Sequence, residues 1–379
     1  MRTLDGLRGI AILAVLLGHF WQMAFIKDDY LLRAFMGRVI GAAGYGVELF
    51  FVLSGFLITG ILLDSRHRPG WLRTFYIRRF LRIFPLYYAA LAITLLVLPR
   101  FIQLDQGARD IVAHQGWLWT YLANFPAVPV DWDASRIMIF GHFWSLCVEE
   151  HFYLVWPALV GWTRPRQLLL ICGLILMMGA GVRAVPYLIH NSPALLWWST
   201  LRKADGLAIG AIIAIMLRDP ELARRVPTGR SLNILTSLLA VLFITLVSIP
   251  TRKDVPLAGV FGETIAVSLS GCMLLWALNA RSTGGFHRLL NSKPLISLGV
   301  YSYGLYVIHG ILRPSFQSMI PFSRLPDTRL FGFFYAILYY IPAIGVSYGL
   351  AYASYNLFEK RILALKRHFA YKHGMAVPG

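Results

Sequence analysis

Apolar residues in this chain run in stretches of about twenty, separated by short segments in which arginine, proline and glycine collect. A helix rises about 1.5 Å per residue, so each stretch is long enough to cross a bilayer core of about 30 Å. The pattern predicts an all-α, polytopic membrane protein of about ten transmembrane helices. Its spans fall at roughly 7–27, 39–64, 83–103, 140–162, 167–187, 194–217, 232–250, 261–279, 295–313 and 329–357. A further aromatic stretch, Trp117 to Phe125, is too short to cross and is expected at the interface or as a re-entrant piece. It lies in the longest non-spanning segment, about 104–139, which reads equally as an ordered extracytoplasmic lid or a plain connector.

Composition narrows the class. Of 379 residues, 57% are hydrophobic and 14% charged, against roughly a quarter charged in soluble domains. Mean hydropathy is +0.61. The net charge of +18 would suit nucleic acid, but its placement does not. With the N-terminus inside, 22 of the 36 Lys and Arg residues fall in inside segments and 11 in outside ones. Arg183, Arg202 and Lys203 lie within spans. That two-to-one bias is a topology signal, and it expects both termini in the cytoplasm and an even number of spans. The three cysteines, Cys147, Cys172 and Cys272, lie in apolar segments without paired spacing, so neither a disulfide framework nor a metal site is indicated. The first apolar run lacks a small-residue cleavage site and contains Arg8 and His19, so it reads as a transmembrane helix. No repeat or separate soluble domain interrupts the chain, and a single integral-membrane domain is expected over 1–379.

Ionisable residues inside spans are costly, so they pair, line a cavity or do chemistry. Arg8 and His19 are eleven residues apart, which is three helical turns plus about 20°, so they share a face about 16 Å apart. In GHFWSLCVEEHFYLVWP, His142, Ser145 and Glu149 share another face, and Glu150 points about 100° away. Two crossing helices would let Glu149 accept from one imidazole nitrogen of His19 and leave the other as a general base. A structural ion pair between the helices fits the spacing as well. The segment SRHRPGWLRTFYIRRFLRIFP carries six arginines and no acid. Arg78 and Arg82 share a face with Arg79 beside them, a pattern that serves either as a positive-inside anchor or as a polyphosphate site. No glycine-rich phosphate loop is present, which argues against an ATP-driven machine. Glu48 sits mid-span, and Arg202, Lys203 and Asp205 interrupt the sixth span, where mutual neutralisation is expected.

Seven segments in order resemble acyltransferase family 3, bacterial integral-membrane O-acyltransferases that modify carbohydrates. They are LDGLRGIAILAVLLGHF, GVELFFVLSGFLITG, FYIRRFLRIFPLYY, FWSLCVEEHFYLVWP, RKADGLAIGAIIA, GVYSYGLYVIHG and YNLFEKRIL. Cys147 departs from the small residue, such as serine, that similar sequences often carry there. The resemblance implies a ten-helix protein of the bacterial inner membrane that moves an acyl group, most often acetyl, from cytoplasmic acyl-CoA to a hydroxyl of an extracytoplasmic glycan. It carries His19 and Glu149 over as catalytic residues, and Arg8, Arg78, Arg79 and Arg82 as ligands of the acyl-CoA phosphates. Because the chain ends soon after the tenth span, no fused extracytoplasmic domain is expected and transfer would be direct. The sequence does not single out the oxyanion donor; Ser54, Ser145 and Tyr303 are candidates. The competing reading is a polytopic transporter of a small polar or anionic solute, although no internal repeat supports it.

Overall fold

The computed structural model describes residues 2–20, 43–125, 128, 130–135, 139–188, 199–248, 256–280, 284–319 and 329–371. Every regular element among them is helical. The main ones are α1 (Arg2–His19), α2 (Gly46–Ser65), α3 (Trp71–Leu91), α4 (Trp144–Trp162), α5 (Pro165–Leu188) and α6 (Asp205–Met216). They are followed by α7 (Gly229–Ser248), α8 (Pro256–Asn279), α9 (Lys293–Val300), α10 (Ser302–Met319) and α11 (Arg329–Ser354).

All ten predicted segments contain helix, but fewer qualify as spans by length and apolarity. Five do so among the described residues: α2, Trp71–Arg100, α5, and the greater parts of α7 and α8. The pair α9 and α10, bent by 72°, makes a sixth. The shortfall has local causes. Arg2, Asp5 and Arg8 crowd the start of α1, and Glu149, Glu150 and His151 dilute α4. The predicted span 194–217 breaks at Ala204 into the turn Thr200–Lys203 and the twelve-residue α6. Of the expected spans, parts of 7–27, 39–64, 194–217 and 232–250 lie outside the described residues. One boundary moves substantially. Helix α3 starts at Trp71 and runs on through a π-turn to Arg100, so Arg78, Arg79 and Arg82 belong to the spanning helix itself.

Among the described residues, α2 and α6 share the most extensive helix contact. A Cβ at Gly55 would strike the Leu207 carbonyl, and one at Gly210 the Val52 carbonyl. Small residues at both positions let the backbones touch, the usual packing of helices in lipid. On the outside of the bundle, Leu170, Leu174 and Met177 of α5 and Leu238, Val241 and Ile244 of α7 are exposed. Two such apolar faces need an apolar surround, and they fit a multi-pass membrane protein.

Four helices are tied together by buried charge. Arg183 of α5, fully buried, donates to Asp205 of α6 at 2.8 Å and lies 3.6 Å from Glu263 of α8. Arg202 meets Glu263 at 2.6 Å, and Lys203 lies 3.2 Å from Glu263 and 3.4 Å from Glu48 of α2. The expected neutralisation around Arg202 is therefore wider than its own sequence neighbourhood.

Candidate active site

Three spaces are lined in part by α1, and the second and third share Arg8, Arg79 and Arg82. The outer one, about 560 Å³, is walled by His19, His142, Trp144, Gly310 and Arg313, with Asn124, Phe125, Asp131, Trp132 and Asp133 contributed by the segment between α3 and α4. That segment is tied to α3 and to itself. Tyr87 and Tyr88 of α3 donate to the Leu118 and Trp119 carbonyls at 2.7 and 3.1 Å, and Trp132 donates to the Ala123 carbonyl at 2.9 Å. Tyr121 takes a left-handed φ of 57° and stacks on Tyr87 at 4.1 Å. A left-handed non-glycine residue costs about 1–2 kcal/mol, which the aromatic stack offsets.

His19 enters this cavity from the end of α1. Its Nδ1 lies 2.8 Å from Nε2 of His309 on α10. His309 Nδ1 is 2.9 Å from the Leu305 carbonyl, which can only accept. The proton chain follows. His309 carries its hydrogen on Nδ1, its Nε2 accepts, and His19 donates from Nδ1. His19 Nε2 is left with a free lone pair, the arrangement a general base needs. The rings of His142 and His309 sit 5.0 Å apart. His142 touches Tyr306, whose hydroxyl donates to the His142 carbonyl at 2.9 Å and also bonds the Ser145 hydroxyl. No group of His, Cys, Asp and Glu among the described residues is placed to hold a metal ion.

The second space, about 130 Å³, is a narrow chamber lined by Arg8, Ser54, Arg79, Arg82, Ser145, Glu149, Glu150, Tyr153, Tyr303 and Tyr306. Here the expectation for Glu149 needs correction. Glu149 accepts from Ser54 at 2.7 Å, and Ser54 in turn accepts from Tyr153 at 3.1 Å. His19 takes His309 instead, because the end of α1 packs against α10. The proposed oxyanion donors are engaged as well: Ser54 donates to Glu149, Ser145 to the Tyr306 hydroxyl, and Tyr303 to the Ile83 carbonyl at 2.6 Å.

The third space, about 420 Å³, opens at the other end of α1 and brings together Arg8, Arg78, Arg79, Arg82, Lys366 and Tyr371. Arg8 is held by Asp5 at 2.7 Å. Arg78 donates to the carbonyls of Lys366 and Phe369. Arg79 lies over the rings of Tyr153 and Phe75, at 5.3 and 5.9 Å, and Arg82 lies 5.9 Å from the Tyr303 ring. Among the described residues, none of Arg78, Arg79 and Arg82 forms an ion pair.

All six site residues expected from the sequence therefore line these spaces, with His19 in the outer one and Arg8, Arg79 and Arg82 shared by the other two. The structure sets two further residues beside these six, His309 against His19 and Lys366 among the arginines. The i, i+3 spacing of Tyr306 and His309 marks one helical face, but nothing local says that this face meets α1. Lys366 is one of several cations in a basic tail, with no pattern to single it out.

Comparison with known proteins places the chain among acyltransferases. The chain is 26% identical to a peptidoglycan O-acetyltransferase, OatA, of Listeria monocytogenes over 321 residues, and 25% identical to an O-acetyltransferase, OatA, of Staphylococcus aureus over 323 residues. It is also 27% identical over 318 residues to YrhL of Bacillus subtilis, named a putative peptidoglycan O-acetyltransferase. Each match covers 81% of this chain and 48%, 49% and 47% of the relative, so the chain spans about half the length of the curated relatives it matches. No solved structure matches. A family described as an acyltransferase domain matches residues 1–353, and the chain belongs to that acyltransferase family.

Proposed function

We propose that the protein is an inner-membrane O-acyltransferase that moves an acetyl group from cytoplasmic acyl-CoA to a hydroxyl of an extracytoplasmic glycan. One observation carries the reading: His19, its Nδ1 engaged by His309, lines a cavity at one end of α1, while Arg78, Arg79 and Arg82, which form no ion pair among the described residues, gather at the other. The two ends lie about 16 Å apart, a span that an extended pantetheine arm suits. In this reading the ten helices cross with both termini inside, and the whole of 1–379 acts as one domain. The peptidoglycan acceptors in the names of two relatives favour a glycan here.

Acyl-CoA enters at the arginine end, where Arg79, Arg82 and Arg8 meet its phosphates, since planar guanidinium groups bind phosphate oxygens in pairs. The thioester extends through the chamber of Glu149 and Tyr306 toward His19. The acceptor hydroxyl, seated under the Trp132 lid, gives its proton to His19 Nε2 as its oxygen attacks the thioester carbon. The tetrahedral intermediate collapses, the C–S bond breaks, and the leaving thiolate takes the proton back from His19. General-base catalysis of this kind contributes about 10²–10⁴ in rate. Glu149 serves as a wall of the passage, held by Ser54, and His309 holds the His19 tautomer.

The test uses the full chain in proteoliposomes, with radiolabelled acetyl-CoA on one side and a peptidoglycan-derived glycan on the other. Alkali-labile label on the glycan, lost in His19→Ala at unchanged protein level, is the expected result. Uptake of solute with no acetyl ester formed would overturn the reading in favour of a transporter.

A further inference from the structure

Beyond α11 the chain turns through Lys360–Ala364 and the 3-10 turn Leu365–Phe369, past the end of the family match at residue 353. This tail is fastened across the arginine mouth. Arg78 donates one nitrogen to two of its carbonyls, Lys366 at 3.2 Å and Phe369 at 3.1 Å, and its guanidinium lies 5.8 Å from the Tyr371 ring. With Arg78 so engaged, the arginine expected to bind phosphate becomes a clamp. What it clamps is another cation: Lys366 lines the same 420 Å³ space as Arg8, Arg79 and Arg82.

We propose that the tail segment Leu365–Tyr371 completes the anion site, with Lys366 as a direct phosphate ligand positioned by Arg78. This rests on the acyl-CoA reading above and adds a ligand-binding residue to it. The ligand chemistry is a pyrophosphate or a phosphomonoester, each dianionic or close to it near neutral pH. Among the described residues five cations and no carboxylate line the space; Asp5 is held by Arg8, and Glu359 stands near Arg82. Such an excess repels itself in the empty protein and is relieved by a polyanion of matching charge.

A lysine in this position should report its own occupancy. Burial, and then Arg82, Arg79 and Arg78, push the Lys366 ammonium down to about 7. Arg8 with Asp5, from α1, and the Tyr371 hydroxyl are the other titratable groups facing this space. Lys366 is therefore charged below pH 7 and loses its charge above it, so its contribution to anion binding grows as pH falls.

The experiment measures binding of inorganic pyrophosphate to the detergent-purified full chain by calorimetry, and in parallel binding of acetyl-CoA. Lys366→Ala should weaken pyrophosphate about tenfold, as loss of one charge-assisted contact does, while Lys366→Arg stays within about twofold. In the wild type the affinity should fall from pH 6 to pH 8 relative to Lys366→Arg, whose fixed charge reports the ligand's own titration alone. Equal binding by wild type and Lys366→Ala, both shown folded by thermal melting, would overturn the role of the tail and leave the acyl-CoA reading standing. Lys366-dependent pyrophosphate binding with no acetyl-CoA binding would do the reverse. Displacement of pyrophosphate by phosphatidylglycerol in the micelle, with no dependence on Lys366, would assign the basic space to lipid headgroups and also overturn the proposal.

Discussion

Around Arg183 three cations meet three carboxylates, and the six side chains join α2, α5, α6, α8 and the turn before α6. Around Arg79 five cations line a space where, among the described residues, the one ion pair is Arg8 with Asp5; Glu149 and Glu150 belong to the adjoining chamber, and Glu359 stands near Arg82. Both clusters draw on the same residue types within or beside membrane helices, yet they do opposite things. A buried charge must be compensated, and the first cluster compensates itself. The second is open to solution and left in excess, which is the condition for binding an anion. Charge placement in a membrane protein thus separates scaffold from site by whether the charges balance locally.

The comparison can be broken most forcefully at Arg183. Arg183→Ala strands Asp205 and deprives Glu263 of one partner, and should destabilise the protein by about 3–5 kcal/mol. A detergent melt that moves by less than the error of the method would remove the distinction between the clusters. Next in size, Arg79→Ala with Arg82→Ala should weaken acetyl-CoA by about a hundredfold while leaving the melting temperature unchanged, because no ion pair is broken. If the melt collapses instead, these arginines are scaffold too. His309→Ala should lower acetyl transfer by about tenfold or more without changing acetyl-CoA affinity, since only the orientation of His19 is lost. A change in affinity with an intact rate would contradict that role. The smallest effect is expected from Lys203→Met with Glu48→Leu, which removes one cation and one carboxylate together and leaves Glu263 with Arg202 and Arg183; it should cost about 1 kcal/mol, read from the same melts. A loss as large as that of Arg183→Ala would mean that Lys203, 5.3 Å over the Trp144 ring, also supports the outer cavity.

How much of this was legible in the residues can be followed one by one. The register of Arg8 and His19 follows from helical geometry alone, and both line the spaces at opposite ends of α1. The RRFLR segment was recognisable as a phosphate-binding candidate, but Arg78 was not recognisable as a clamp, because its acceptors lie 288 and 291 positions away. Glu149 was matched to His19 on depth and face, two properties that several intramembrane residues share. The actual partner, His309, is 290 positions distant, and its contact depends on which helix packs beside α1.

Local periodicity carries helix placement, the membrane class and the face on which a side chain stands, because these depend on a repeat of 3.6 residues and on the cost of burying polar groups in lipid. Pairing between helices has no such period. Close approaches such as Gly55 on the Leu207 carbonyl choose which helices meet. Only that choice hands His19 to His309, gathers Arg183 with Glu263, and lays Lys366 beside the arginines, since each contact lasts only where the packed backbones bring polar atoms within hydrogen-bonding reach.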